Sequence, residues 1–165
     1  MEPGHEFSVP NVFWGQYRVR MECQSGHIVS ALSGSSDLLS NPEISLQPGV
    51  APPPIEIGLK LGGGEIHGKL EIHDAPVATG VLLVPAFAAS TGPNASRASW
   101  DLGSHDVLQF SFSNLAPGDY LAYAVSDIQS VEYRNPAFLQ ALKGGTAVRV
   151  EDGKTAEVTL TSLVQ

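Results

Sequence analysis

Polar and apolar residues alternate along much of this chain, most sharply over residues 65–73. Ile66, Gly68, Leu70 and Ile72 fall on one side there, and Glu65, His67, Lys69, Glu71 and His73 on the other. A period of two is the signature of a strand with one buried face. The same period predicts a strand over 16–22, with Tyr17, Val19 and Met21 inward and Arg18, Arg20 and Glu22 outward. It predicts another over 55–61, with Ile55, Ile57, Leu59 and Leu61 inward. Shorter strands are expected at 7–9, 27–33, 37–39 and 44–46. Residues 80–84 are almost all apolar, which predicts a strand covered on both faces.

Residues 110–124 read as a strand, a tight turn and a second strand. Phe110 and Phe112 alternate with Ser111 and Ser113, and Tyr120, Ala122 and Ala124 alternate after the turn. Pro117 presets a negative φ and Gly118 tolerates a positive one, which is the chemistry of a type II turn. Phe110, Phe112, Leu115 and Tyr120 are the expected core of this region. The stretch recurs at 7–21, where Phe7, Ser8, Asn11, Gly15 and Tyr17 take the places of Phe110, Ser111, Asn114, Gly118 and Tyr120. An offset this long indicates tandem domains rather than a solenoid.

Gly62-Gly63-Gly64 is the expected boundary, since three glycines between two alternating segments make a flexible joint. Residues 1–61 are then the later strands of a preceding copy, 62–64 a glycine linker, and 65–165 a complete β-sandwich of roughly seven strands. One short helix is expected near 136–143, with Asn135 as its cap and Pro136 in its first turn. Residues 146–151 and 155–162 read as a hairpin across Asp152-Gly153. Only six residues precede Phe7. The inward side chains Tyr17, Val19, Ile28, Leu32, Ile57 and Leu59 of the first unit are therefore expected to lack a full facing sheet. Unpaired edges and open apolar faces are templates for association. The expected cover is another copy of the chain or further domains of a longer one, with Phe13 and Trp14 near the contact.

The composition narrows the classes of function. With 42% hydrophobic and 16% charged residues in 165, the chain is of the folded kind. A net charge of −8 argues against binding nucleic acid or anionic membranes. No apolar run reaches the length of a membrane span, so no membrane insertion is expected. Residues 1–11 lack the basic region and apolar core of a signal peptide. Cys23 is the only cysteine, which excludes an intrachain disulfide and a cysteine metal site.

Candidate chemistry is sparse. His67 and His73 lie roughly 20 Å apart by strand rise and cannot share an ion. Ser104-His105-Asp106 has the residue types of a hydrolase triad, but neighbours on a strand point to opposite faces, and triads are spatial constellations. No G-x-S-x-G elbow is present. His5 and His27 have no ligand partner at metal spacing and read as surface or turn residues. Asp101, Asp106, Asp127 and Asp152 are turn aspartates by default, with calcium between loops as the sharper alternative. Gly62-Gly63-Gly64 is followed by neither G-K-[ST] nor a long helix, so it is no phosphate loop. Phe13, Trp14, Trp100, Tyr123 and Tyr133 would stack on sugars if several shared an exposed face; otherwise they fill cores. No catalytic residue, metal or cofactor is expected.

Three motifs carry a family resemblance: G-x-I-x-G at residues 64–68, the apolar strand at 80–85, and F-x-F-x-N-L-x-P-G-x-Y at 110–120. Together they resemble a carboxypeptidase regulatory-like domain. The segment 133–139 resembles the short helix that follows in tandem copies from large secreted bacterial proteins. The resemblance spans 64–165, and 7–61 as the later part of a preceding copy. It implies an all-β, antiparallel Greek-key sandwich of the transthyretin-like (prealbumin-like, Ig-like) kind. It also implies a structural or adhesive module, not an enzyme, in the extracellular space or cell envelope. The alternative is a carbohydrate- or peptide-binding accessory domain of a larger enzyme. Phe13-Trp14 replaces the usual proline before Gly15. That pair, with Trp100, makes the expected binding residues.

Overall fold

The computed structural model describes residues 5–23, 25–72, 78–86, 96–99, 108–133 and 135–164, which form thirteen strands and one short helix. The fold is all-β, as the alternation predicts.

The first unit holds β1 (Gly15–Arg18), β2 (Gly26–Ser33), β3 (Ser36–Asp37), β4 (Glu43–Leu46) and β5 (Ile55–Leu61). β1 and β4 pair antiparallel as a two-stranded ribbon, with Tyr17 opposite Ile44. β3, β2 and β5 make a separate three-stranded sheet. A small core joins them: Met21, Ala31, Leu38 and Leu39 are buried, with Val19, Ile28, Ile44, Ile55 and Ile57 packed around them.

Several expectations for this unit are corrected. Residues 7–9 form no strand, and Phe7 and Val9 are exposed. A strand needs a hydrogen-bonded neighbour, and none is present for that segment among the described residues. The strand expected over 16–22 stops at Arg18, although Met21 still points inward and Arg20 and Glu22 outward. Leu32, Leu59 and Leu61 are exposed rather than inward. A register shift between Ile28 and Ser30 moves the inward parity of β2 from Ile28 to Ala31, which leaves Leu32 exposed. His27 is buried on the other face of β2, not a surface residue, with its Nδ1 2.9 Å from the Gly62 carbonyl oxygen.

The second unit holds β6 (Gly64–Leu70), β7 (Gly80–Pro85), β8 (Arg97–Ser99), β9 (Leu108–Leu115) and β10 (Gly118–Val125). After the helix α1 (Pro136–Ala141) come β11 (Thr146–Val150), β12 (Thr155–Leu160) and β13 (Leu163–Val164). One sheet runs β12-β6-β9; the other runs β11-β10-β7-β8, with β13 beside β10. Buried residues from both sheets share one core, in which Ile66, Phe110 and Phe112 meet Val81, Leu83 and Tyr120. This is a sandwich-like arrangement. β7 is buried along its whole length, as its composition predicts, with Leu82 and Val84 facing a second cluster under α1.

The second glycine of G-x-I-x-G has a packing reason. Gly68 pairs with Phe110, and a Cβ on Gly68 would lie 2.1 Å from the Phe110 ring. The edge of that ring stands against Phe112, with centroids 5.9 Å apart. Asn135 caps α1, its side-chain oxygen accepting from the Ala137 N–H at 3.0 Å. The helix ends at Ala141, two residues before the expected limit.

Both expected hairpins are corrected. β9 and β10 lie on opposite sides of Pro117-Gly118, yet they belong to different sheets. β11 and β12 likewise separate at Asp152-Gly153: β11 joins β10, and β12 runs parallel to β6. These turns are arches that carry the chain from one layer to the other. Alternation states which residues face inward. It does not state which strand supplies the hydrogen bonds.

The glycines between the units are held closely. Gly64 opens β6, and the Gly153 N–H donates to the Gly63 carbonyl at 3.2 Å. A Cβ on Gly63 would lie 2.5 Å from the Leu115 carbonyl oxygen. Lys60 Nζ reaches Asp152 Oδ2 across the joint at 2.8 Å.

Candidate functional site

The repeat seen in the sequence is a repeat in the backbone. Asn11 and Asn114 both adopt a positive φ, at 60° and 56°, and Gly15 and Gly118 share φ values of 154° and 153°. Asparagine tolerates the left-handed region because its short polar side chain can bond locally. The Tyr17 hydroxyl donates to the Phe13 carbonyl at 2.9 Å, and the Tyr120 hydroxyl to the Ala116 carbonyl at 2.7 Å. In each unit a tyrosine therefore braces the arch four residues upstream. β4 lies beside β1 as β11 lies beside β10.

The surroundings of the two arches differ. Phe110 is 4% exposed and Phe112 7%, whereas their counterparts Phe7 and Val9 are 62% and 70% exposed. Phe13 and Trp14, in the arch itself, are 80% and 71% exposed. Every exposed large apolar side chain among the described residues lies between Phe7 and Leu61. The cause is topological. β10 has β11 on one edge and β7 on the other. β1 has β4 on one edge and, among the described residues, no strand on the other. Among the described residues no counterparts of β6 and β7 stand over residues 5–22. A cleft of about 440 Å³ lies on the ribbon, lined by Tyr17, Arg18, Glu43 and Ile44 among others.

Of the expected binding residues, Phe13 and Trp14 are thus side by side at an open surface. Trp100 lies outside the described residues. Tyr123 is buried and Tyr133 packs against the cluster under α1, so neither joins Phe13 and Trp14 in a sugar platform. Burial raises the Tyr123 hydroxyl pKa. Phe7, Val9 and Val12, just before the arch, are exposed as well, yet the sequence alone did not single them out as binding residues. The signal was available in the repeat, because each residue aligned with a core position but lacking its cover is an exposed apolar residue.

The remaining chemistry is electrostatic and mostly local. His67 stays on a solvated strand face 3.6 Å from Glu65, and Lys69 pairs with Glu71. His73, Ser104-His105-Asp106 and Asp101 lie outside the described residues. The Asp127 carboxylate accepts from the Gln129 N–H at 3.1 Å, which is a turn role. The Lys60 ammonium holds the Asp152 carboxyl below its ordinary range, first by hydrogen bond and then by charge. Lys154 does the same to Glu151. Among the described residues no three His, Cys, Asp or Glu side chains converge as a metal site.

Comparison with known proteins gives no matching family model, no matching curated protein and no matching solved structure.

Proposed function

We propose that this chain is a non-enzymatic β-sandwich module that acts by binding protein through the uncovered face and edge of its first unit. One observation carries the reading: positions that form the core of the second unit stand exposed in the first. Contiguous apolar surface of more than a few hundred Å² marks an interaction site. Removing it from water favours contact by about 25 cal/mol per Å². The motif resemblance to carboxypeptidase regulatory-like domains supports placing the module in a tandem array of a secreted or cell-surface bacterial protein. Its role there would be structural or adhesive.

Static light scattering over a concentration series tests the reading, on the full chain and on residues 64–165. The full chain is expected to associate. The shorter piece, which keeps the second unit's core, is expected to melt cooperatively and to stay monomeric. A monomeric full chain, or association that persists in the piece, contradicts the reading.

The exposed neighbours Phe13 and Trp14 also favour a second reading, an accessory domain that binds carbohydrate or peptide. Titration of tryptophan fluorescence with an oligosaccharide separates the two. Saturable quenching that Trp14→Ala abolishes supports the second reading, and its absence removes it.

A further inference from the structure

We infer that the open edge of β1 and of the segment that continues it to Glu22 is filled by the same residues of a second copy of this chain, the two running antiparallel about a two-fold axis. The inference rests on reading the first unit as an association surface, and it names the partner.

In the second unit β7 pairs with β10 from Tyr120 to Val125. The repeat places Tyr17 to Glu22 at the corresponding edge of the first unit. A strand like β7 does not suit this edge. On β10 the residues facing away from the main core are Leu121, Tyr123 and Val125, which pack with Leu82, Val84 and Leu139. The corresponding residues on the first unit are Arg18, Arg20 and Glu22, and their side chains are 59%, 58% and 61% exposed. A neighbour that is apolar on both faces would set aliphatic side chains beside three charges. The fitting neighbour is apolar on the face toward Val19 and Met21, and carries charges of both signs on the other face.

Residues 17–22 meet that description themselves. Tyr17, Val19 and Met21 line one face; Arg18, Arg20 and Glu22 line the other, basic toward the start and acidic at the end. Parallel self-pairing would set like charge beside like. Antiparallel self-pairing centred on Met21 sets Arg20 of each strand opposite Glu22 of its copy, so the Arg20–Glu22 pair made within one strand is joined by two across the contact. It also sets Met21 against the copy's Met21. Opposite charges across a strand pair stabilise it and like charges destabilise it. A two-fold contact of this kind is self-complementary and closes as a dimer. The result is one continuous sheet in the order β4-β1-β1-β4, with no open β1 edge left.

Two full-length single variants test this. Arg20→Glu makes the end of the edge acidic, and Glu22→Arg makes the edge wholly basic. Both residues are exposed, so neither change enters a core. Sedimentation equilibrium is run on the wild type, on each variant and on an equimolar mixture. The wild type is expected to dimerise, each variant to dimerise roughly tenfold more weakly or worse, and the mixture to recover the dimer. A variant that merely failed to fold would not be rescued by mixing. Dimers of undiminished strength in both variants overturn the edge pairing while leaving the association reading standing. So does a mixture that fails to recover. A wild type that stays monomeric overturns both.

Discussion

Tyr17 and Tyr120 make the same hydrogen bond to the carbonyl four residues upstream, yet Tyr120 is 3% exposed and Tyr17 38%. The arch is a local device, closed by one hydroxyl. Its burial is a tertiary matter, decided by whether a second layer covers it. The same local motif is therefore a core element in one unit and surface in the other.

The two tyrosines should respond differently to loss of the hydroxyl. Tyr120→Phe leaves the partly buried Ala116 carbonyl without its donor. It should cost about 0.5–1.5 kcal/mol in a denaturant melt. Tyr17→Phe hands the Phe13 carbonyl to water and should leave the midpoint unchanged. Equal losses at both positions would contradict the difference in burial.

Phe112 and Val9 form a second matched pair. Phe112→Ala removes a buried ring and should cost about 3–5 kcal/mol, a large part of a small domain's roughly 5–15 kcal/mol. Val9→Ala at low protein concentration should fall within the roughly 0.5 kcal/mol typical of surface changes. Chemical unfolding followed by circular dichroism reads both. A small loss at Phe112 would put the β9 register off by one residue.

The ion pair across the joint predicts a titration. Lys60 lowers the pKa of Asp152 below its unfolded value. Any stability from the pair is therefore present above the unfolded pKa and is lost as pH falls through the folded one. Carboxyl chemical shifts should show Asp152 titrating below an ordinary aspartate, and Lys60→Met should bring the midpoint back up. Both side chains are half exposed, so the thermal midpoint should barely move and added salt should weaken the shift. An unchanged midpoint in Lys60→Met would show that the pair does not form.

Much of the fold was legible from single residues. The run at 80–84 announced a strand buried on both faces, and Asn135-Pro136 announced the start of α1. The recurrence of Phe7, Asn11, Gly15 and Tyr17 announced a second turn of the same kind. What escaped was partner choice. Pro117-Gly118 and Asp152-Gly153 carry the chemistry of tight turns, and a turn between paired strands uses the same residues as an arch between layers. The exposure of Leu32 escaped because the register shift after Ile28 changes the parity of the strand, and the burial of His27 escaped because its contact, Gly62, is far along the chain. Residues 7–9 have strand alternation but no neighbour, and pattern without a neighbour does not make a strand. The open edge at Tyr17 to Glu22 was legible only through the repeat, by asking which strands of the second unit have no counterpart among the described residues of the first.

The central claim is that association buries the first unit. Amide hydrogen exchange of the full chain at low and at high concentration tests it most directly, because it locates the contact while detecting it. Exchange should slow with concentration in the described residues from Phe7 to Glu22, and stay unchanged in β9 and β10, whose core is already complete. Concentration-dependent protection confined to the second unit, or no concentration dependence anywhere, would contradict the account.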